Sequence, residues 1–235
     1  MRVTNNLQAS ALTMEADTEI VIEYYSIRNS SSLFDITVTS LETAEASRIE
    51  VLNTELATLG LECDDVLING VLTAGALDSY AQYDSFETGD ASQVTFTPAT
   101  QNVLAGQTFR LGGQLTLNAL MDFDNMVYLE VKAGAVVTMT EEASSSGSIV
   151  MQVSNTANID GTFVAPVPVD FTSGTPDFLV GSTGTFEFVA ATDFVVDNLQ
   201  VDGNMTSLSS LRFAGRGSTK VENIEIGAGG MSQLT

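Results

Sequence analysis

Phe109-Arg110-Leu111-Gly112-Gly113-Gln114-Leu115-Thr116-Leu117 reads as two very short β-strands on either side of a glycine corner. Apolar residues alternate with polar ones before and after the Gly pair, and a period of two places each set on one face of a strand. The same texture fills the rest of this half. Apolar runs recur at 127–131, 136–139, 149–153, 186–189, 199–201, 211–213 and 224–226. Breaks separate them at Asn125, Gly134, Gly147, Asn158, Gly161, Gly184, Gly203, Gly217 and Gly227. Interruptions this frequent are too close together for helices and suit many short strands.

Two architectures fit that spacing, a parallel β-solenoid and a β-sandwich or jelly roll. Three details favour the solenoid. The strands are only three to five residues long, and Asn and Gly dominate the corners. Phrases such as Val221-Glu222-Asn223-Ile224-Glu225-Ile226-Gly227 repeat a beat of inward apolar and outward polar residues. In these features residues 101–235 resemble the right-handed parallel β-helices of phage tail spikes and fibres and of bacterial adhesins. The resemblance implies stacked coils and a structural or adhesive role. Pro166, Pro168 and Thr175-Pro176 predict a lateral loop near 164–178.

Residues 1–100 read as a separate β-rich domain containing one helix. Ile20, Ile22 and Tyr24 alternate along 19–26, and Ile36 and Val38 continue the pattern after a polar run at 29–32. Then Leu41, Ile49, Leu52, Leu56 and Leu59 recur at spacings near three and four, with Glu42, Glu45, Glu50 and Glu55 between them. That is the period of an amphipathic helix, predicted over about 41–59, with Thr39 and Glu42 as a capping box and Gly60 as the C-terminal cap. Strands are predicted again at 66–72, 80–86 and 94–97. Tyr24, Tyr25, Tyr80 and Tyr83 suit core packing with their hydroxyls at its edge. Residues 25–30, Tyr-Ser-Ile-Arg-Asn-Ser, also resemble a strand of bacterial surface Ig-like repeats. The fold class is therefore mainly β.

Composition narrows the chemistry. The chain has no His, no Trp and one Cys, with 30 Asp and Glu against 8 Lys and Arg, for a formal charge of −22. Without imidazole the commonest general base and metal ligand is missing. The charge repels nucleic acid and anionic membrane, so neither is expected as a partner. Arg212, Arg216 and Lys220 form the one basic cluster, best explained by local pairing with carboxylates. No apolar run near the N-terminus has signal-peptide length, and no window reaches a membrane span of about eighteen residues. Any location outside the cell is thus expected to follow from assembly and lysis or a leaderless route.

The remaining motifs weaken on inspection. Neither Lys132 nor Lys220 has a Ser three residues before it, and Cys63, beside Glu62, Asp64 and Asp65, is predicted to be an inert thiol. The 215–220 run Gly-Arg-Gly-Ser-Thr-Lys and the glycines at 227–230 lack the spacing of nucleotide-binding loops. Of the carboxylate pairs Asp64-Asp65, Asp122 with Asp124, and Glu141-Glu142, only Asp122 and Asp124 can share a strand face. Asp122-Phe123-Asp124-Asn125 begins like an EF-hand loop but lacks its later ligands. Asn29 and Asn204 open glycosylation sequons.

No catalytic or cofactor-binding residue is assigned, and no metal or ligand site is placed. Structural calcium is the one cofactor the acidity suggests. The expected role is a non-enzymatic structural subunit of a surface assembly, a virion (phage) decoration, fibre or spike component at the virion surface. Its partners would be copies of itself, as a homo-oligomer such as a trimer, and other structural proteins of the assembly. An extracellular adhesin or filament subunit is the alternative, and a carbohydrate-active β-helix enzyme the third reading.

Overall fold

The computed structural model describes residues 2–3, 7–23, 32–52, 57–74, 82–96, 102–117, 121–140, 149–170, 175–190, 194–209, 211–214, 219–221, 225–226 and 232–234. Within them the chain is a parallel β-solenoid. One ladder stacks Arg2–Val3 (β1), Glu19–Glu23 (β4), Arg48–Leu52 (β7), Val71–Ala74 (β10), Gln93–Phe96 (β12), Gln114–Leu117 (β14), Val136–Met139 (β16), Thr162–Asp170 (β18), Thr185–Ala190 (β20), Asn204–Ser207 (β22) and Glu225–Ile226 (β25). A second stacks Ala11–Met14 (β3), Ser40–Thr43 (β6), Asp65–Ile68 (β9), Gln82–Thr88 (β11), Asn102–Leu111 (β13), Met121–Val131 (β15), Ile149–Ile159 (β17), Thr175–Val180 (β19), Phe194–Val201 (β21) and Thr219–Val221 (β24). Leu7–Gln8 (β2), Ser32–Thr37 (β5) and Ala57–Glu62 (β8) form a small third sheet, and Leu211–Ala214 (β23) and Ser232–Leu234 (β26) extend from β21. Both main ladders cross residue 100, through β12–β14 and β11–β13.

Every pairing among these strands is parallel, whereas sandwiches and jelly rolls pair antiparallel, so the alternative architecture falls away. Alternation puts one residue type in register from coil to coil. Ile49, Leu72, Val94, Leu115, Val137, Phe163 and Phe186 line up along the first ladder, all buried. Val66, Phe86, Phe109, Leu129, Ala157, Phe178 and Leu199 line up along the second. The two rows meet in the middle. Phe178 lies 5.2 Å from Phe186 across the core, and Phe86 stacks on Phe109 at 5.7 Å within its own row.

The helix expected over 41–59 does not form. Its residues supply β6, β7 and the start of β8, and 53–56 lie outside the described residues. Leu41 and Ile49 both point inward, from strands of different ladders. A four-residue corner at 44–47 separates them, and it shifts the phase of two period-two patterns into one that mimics a helix. Thr39 is no cap: its carbonyl accepts the Asp64 and Asp65 N–H groups at 3.1 Å. Gly60 pairs with Asp35 in the small sheet.

Other expectations need smaller corrections. β4 and β5 exist but join different ladders. The single strand read at 66–72 is broken at 69–70 into β9 and β10. The proline segment near 164–178 is largely strand: β18 keeps pairing with β20 and absorbs Pro166 in a register shift between Ala165 and Pro168, and β19 begins at Thr175. The Ig-like likeness at 25–30 lies outside the described residues.

The first two corners between the ladders, 15–18 and 44–47, are both four residues long, and from there to 202–203 the corners alternate in size. Four-residue corners at 44–47, 89–92, 132–135 and 181–184 interleave with two-residue corners at 69–70, 112–113, 160–161 and 202–203. Each of these wide corners closes a β-turn, as Ser92 N–H to Gly89 O at 3.1 Å and Gly184 N–H to Gly181 O at 2.7 Å. Its last carbonyl then accepts the N–H that follows the next narrow corner: Ser47 from Val71 at 2.8 Å, Ser92 from Gln114 at 2.9 Å, Ala135 from Thr162 at 2.8 Å, Gly184 from Asn204 at 2.9 Å. That carbonyl sits where a Cβ would project from the second residue of the narrow corner. At Gly113 a methyl would clash with Ser92 O and lie 2.8 Å from Gly89 O, and φ there is +63°. Gly70, Gly161 and Gly203 occupy the equivalent place.

Three substitutions test this. Gly113→Ala is expected to cost roughly 3 kcal/mol, through steric clash and left-handed backbone together. Gly134→Ala, with φ at +80° and open space around it, is expected to cost only about 1 kcal/mol. Ala46, exposed and held at φ +60°, is expected to gain about 0.5–1 kcal/mol on replacement by Gly. Urea unfolding of the three variants checks the order, and equal losses at Gly113 and Gly134 would contradict the corner contact.

Candidate functional site

The outward positions of the two ladders differ in character. On the second ladder Asp65, Ser85, Thr108, Tyr128, Thr156, Asp177 and Asn198 form one outward row, and Glu87, Arg110, Glu130 and Asn158 belong to the next. In-register parallel stacking sets like positions about 4.8 Å apart, where two carboxylates repel by about 1 kcal/mol even in water. The face avoids this by interleaving. Arg110 lies between two acids, its Nη1 2.8 Å from Glu87 Oε1 and its Nε 3.5 Å from Glu130 Oε2. Its guanidinium also stands 5.9 Å above the Tyr128 ring. The hydrogen bond and charge of Glu87 hold Arg110 above its ordinary pKa, so it stays charged. Amides separate other acids: Asn198 Nδ2 donates to Asp177 Oδ1 at 2.7 Å, and Gln107 Nε2 to Asp84 Oδ1 at 3.0 Å.

The first ladder's outward face carries Glu19, Arg48 and Glu50 on β4 and β7, where Arg48 Nη2 lies 3.1 Å from Glu50 Oε2, and is nearly uncharged above them. From β10 to β22 one row reads Val71, Gln93, Gln114, Val136, Thr162, Thr185, Asn204, and the other Thr73, Thr95, Thr116, Thr138, Val164, Glu187, Thr206. Glu187 is the sole ionisable group among these positions. Gln93, Gln114, Val136 and Asn204 are exposed, and the threonines are half-buried between neighbouring rungs. Sequence reasoning missed the threonine row. The signal was there, in Thr73, Thr95, Thr116 and Thr138 spaced by 22, 21 and 22 residues.

The residues weighed for chemistry are scattered. Asp64 and Asp65 are exposed neighbours at the start of β9, and Cys63 is buried beside them. Asp122 and Asp124 lie two apart in β15, but their side chains, like those of Arg212 and Lys220, fall outside the described residues, as do Arg216, Glu141 and Glu142. Tyr83 is a core residue, packed 5.4 Å from Phe86. Among the described residues no three His, Cys, Asp or Glu groups come together as a metal site would require. Among the described residues no helix is long and apolar enough to cross a membrane.

The fold thus defines the class, a parallel β-solenoid with one charge-interleaved face and one threonine-bearing face that from β10 to β22 carries a single charge. Against protein-family models, curated proteins and solved structures, the chain finds no match.

Arg110→Glu would place three acids on consecutive rungs, with an expected loss of about 1–3 kcal/mol that shrinks at high salt. A thermal melt at low and high ionic strength reads it. Tyr128 titrates above its ordinary value, first through partial burial and then through the Glu130 charge. A raised pKa adds stability below the unfolded value of about 10 that is lost as pH climbs through the folded one. Tyr128→Phe is therefore expected to gain on the wild type in melting temperature between pH 9 and 11 and to run parallel to it below.

Proposed function

We propose that the chain is a non-enzymatic structural subunit of an ordered surface assembly, a virion decoration, fibre or spike component. The observation that supports it best is the run of corner carbonyls each accepting the next coil's N–H, which makes a stiff stack whose use is shape. The lack of any imidazole points the same way. Such a subunit works by contact with copies of itself and with neighbouring structural proteins. Light scattering on the eluting peak of a size-exclusion column is expected to give a stable oligomer. A monomer persisting to high concentration would overturn the reading.

The strong acidity favours a second reading, an extracellular adhesin or filament subunit with divalent ions bridging acidic surfaces. In that case calcium is expected to raise the melting temperature and a chelator to lower it. Indifference to both would remove the ion-bridged version and leave the first reading standing.

A further inference from the structure

We propose that the outward face of the first ladder from β10 to β22 binds the surface of ice. The chain carries 30 acidic residues, yet the fourteen outward positions from Val71 to Thr206 on this face include one. The second ladder, folded from the same coils, places Asp65, Glu87, Arg110, Glu130 and Asp177 outward. Charged side chains hold mobile hydration shells, which an ordered water lattice cannot accommodate. From β10 to β22 they are excluded at every one of these positions but Glu187, and charge returns below, at Arg48 and Glu50.

Thr73, Thr95, Thr116 and Thr138 pair in register through three successive strand pairings with no shift. Rungs about 4.7–4.9 Å apart give a straight row of identical groups, a repeat close to that of oxygen rows in ice. A threonine side chain is stiff at χ1 and presents a hydroxyl and a methyl together, so the row is ordered before it meets a surface. Water is anchored by the hydroxyl and ordered along the methyl.

Two other occupants fit less well. Seven rungs about 4.8 Å apart, each about 13 Å wide, expose roughly 400 Å², about half of what each partner buries in a stable protein pair. A second copy therefore gains too little from this face alone. No outward position from Val71 to Thr206 on the first ladder is aromatic, and the stacking platform that sugars favour is missing.

The test is thermal hysteresis and partition into a growing ice front, using the purified chain with serum albumin at equal mass as the blank. The wild type is expected to arrest ice growth and enter the ice fraction. Thr95→Lys with Thr116→Lys is expected to lose at least tenfold in hysteresis. Thr108→Lys, on the other face, is expected to retain it. Thr116→Tyr, which keeps strand preference while breaking the level row, should also lose activity, and circular dichroism melts confirm that each variant is folded. Wild-type hysteresis no greater than albumin's, or an equal loss in Thr108→Lys, would overturn the proposal. So would dimerisation that the Thr95/Thr116 pair abolishes, which would assign the face to a second copy.

Discussion

The structure depends on a backbone contact at its corners. A carbonyl at the end of the wide corners 44–47, 89–92, 132–135 and 181–184 accepts the N–H of the coil above and occupies the space a side chain would need in the narrow corner that follows. Only glycine satisfies both demands at 70, 113, 161 and 203, and the hydrogen bond keeps the carbonyl from retreating. From 44–47 to 202–203 the repeating unit is a pair of coils, one wide-cornered and one narrow-cornered. Buried threonines reinforce the stack: Thr43 Oγ1 accepts the Asn69 and Gly70 N–H groups, and Thr88 Oγ1 exchanges hydrogen bonds with Gly112 at 2.8 Å. Strand alternation then delivers the apolar rows to the centre.

In-register stacking amplifies whatever a position carries. An apolar residue repeated up a row makes a continuous core, as Phe163 and Phe186 do at 5.5 Å. A carboxylate repeated up a row would make a line of repulsion. With a formal charge of −22 the chain cannot avoid acids outside, so the second ladder interleaves them with Arg110 and with amides. The first ladder pairs Arg48 with Glu50 on β7 and, from β10 to β22, leaves out all charge but Glu187. That difference between two faces of one coil underlies the ice-surface proposal.

Much of the fold was legible because a period of two survives in short segments. Runs such as 109–111, 115–117 and 136–139 fall within β13, β14 and β16. Errors arose where a corner joined two such runs. Leu41 to Leu59 imitated a helix because a four-residue corner offsets the phase. Val66 to Leu72 passed as one strand because Asn69-Gly70 is so short. The prolines at 166 and 168 suggested a loop, yet a parallel ladder tolerates them at a register shift. The threonine row went unread since attention to apolar residues follows the inward face, and the candidate surface faces out.

Local features follow from the chain read alone: strands from alternation, corners from glycine, an apolar interior, and a chemistry without imidazole. The tertiary structure alone decided that those strands pair in parallel and which residues share a row. One coil advances 20 residues from Phe109 to Leu129 and 28 from Leu129 to Ala157, so no fixed repeat exposes the register to inspection. The length between coils is free to vary because the connections outside the ladders absorb it. The stacking of one carbonyl on the next N–H is not.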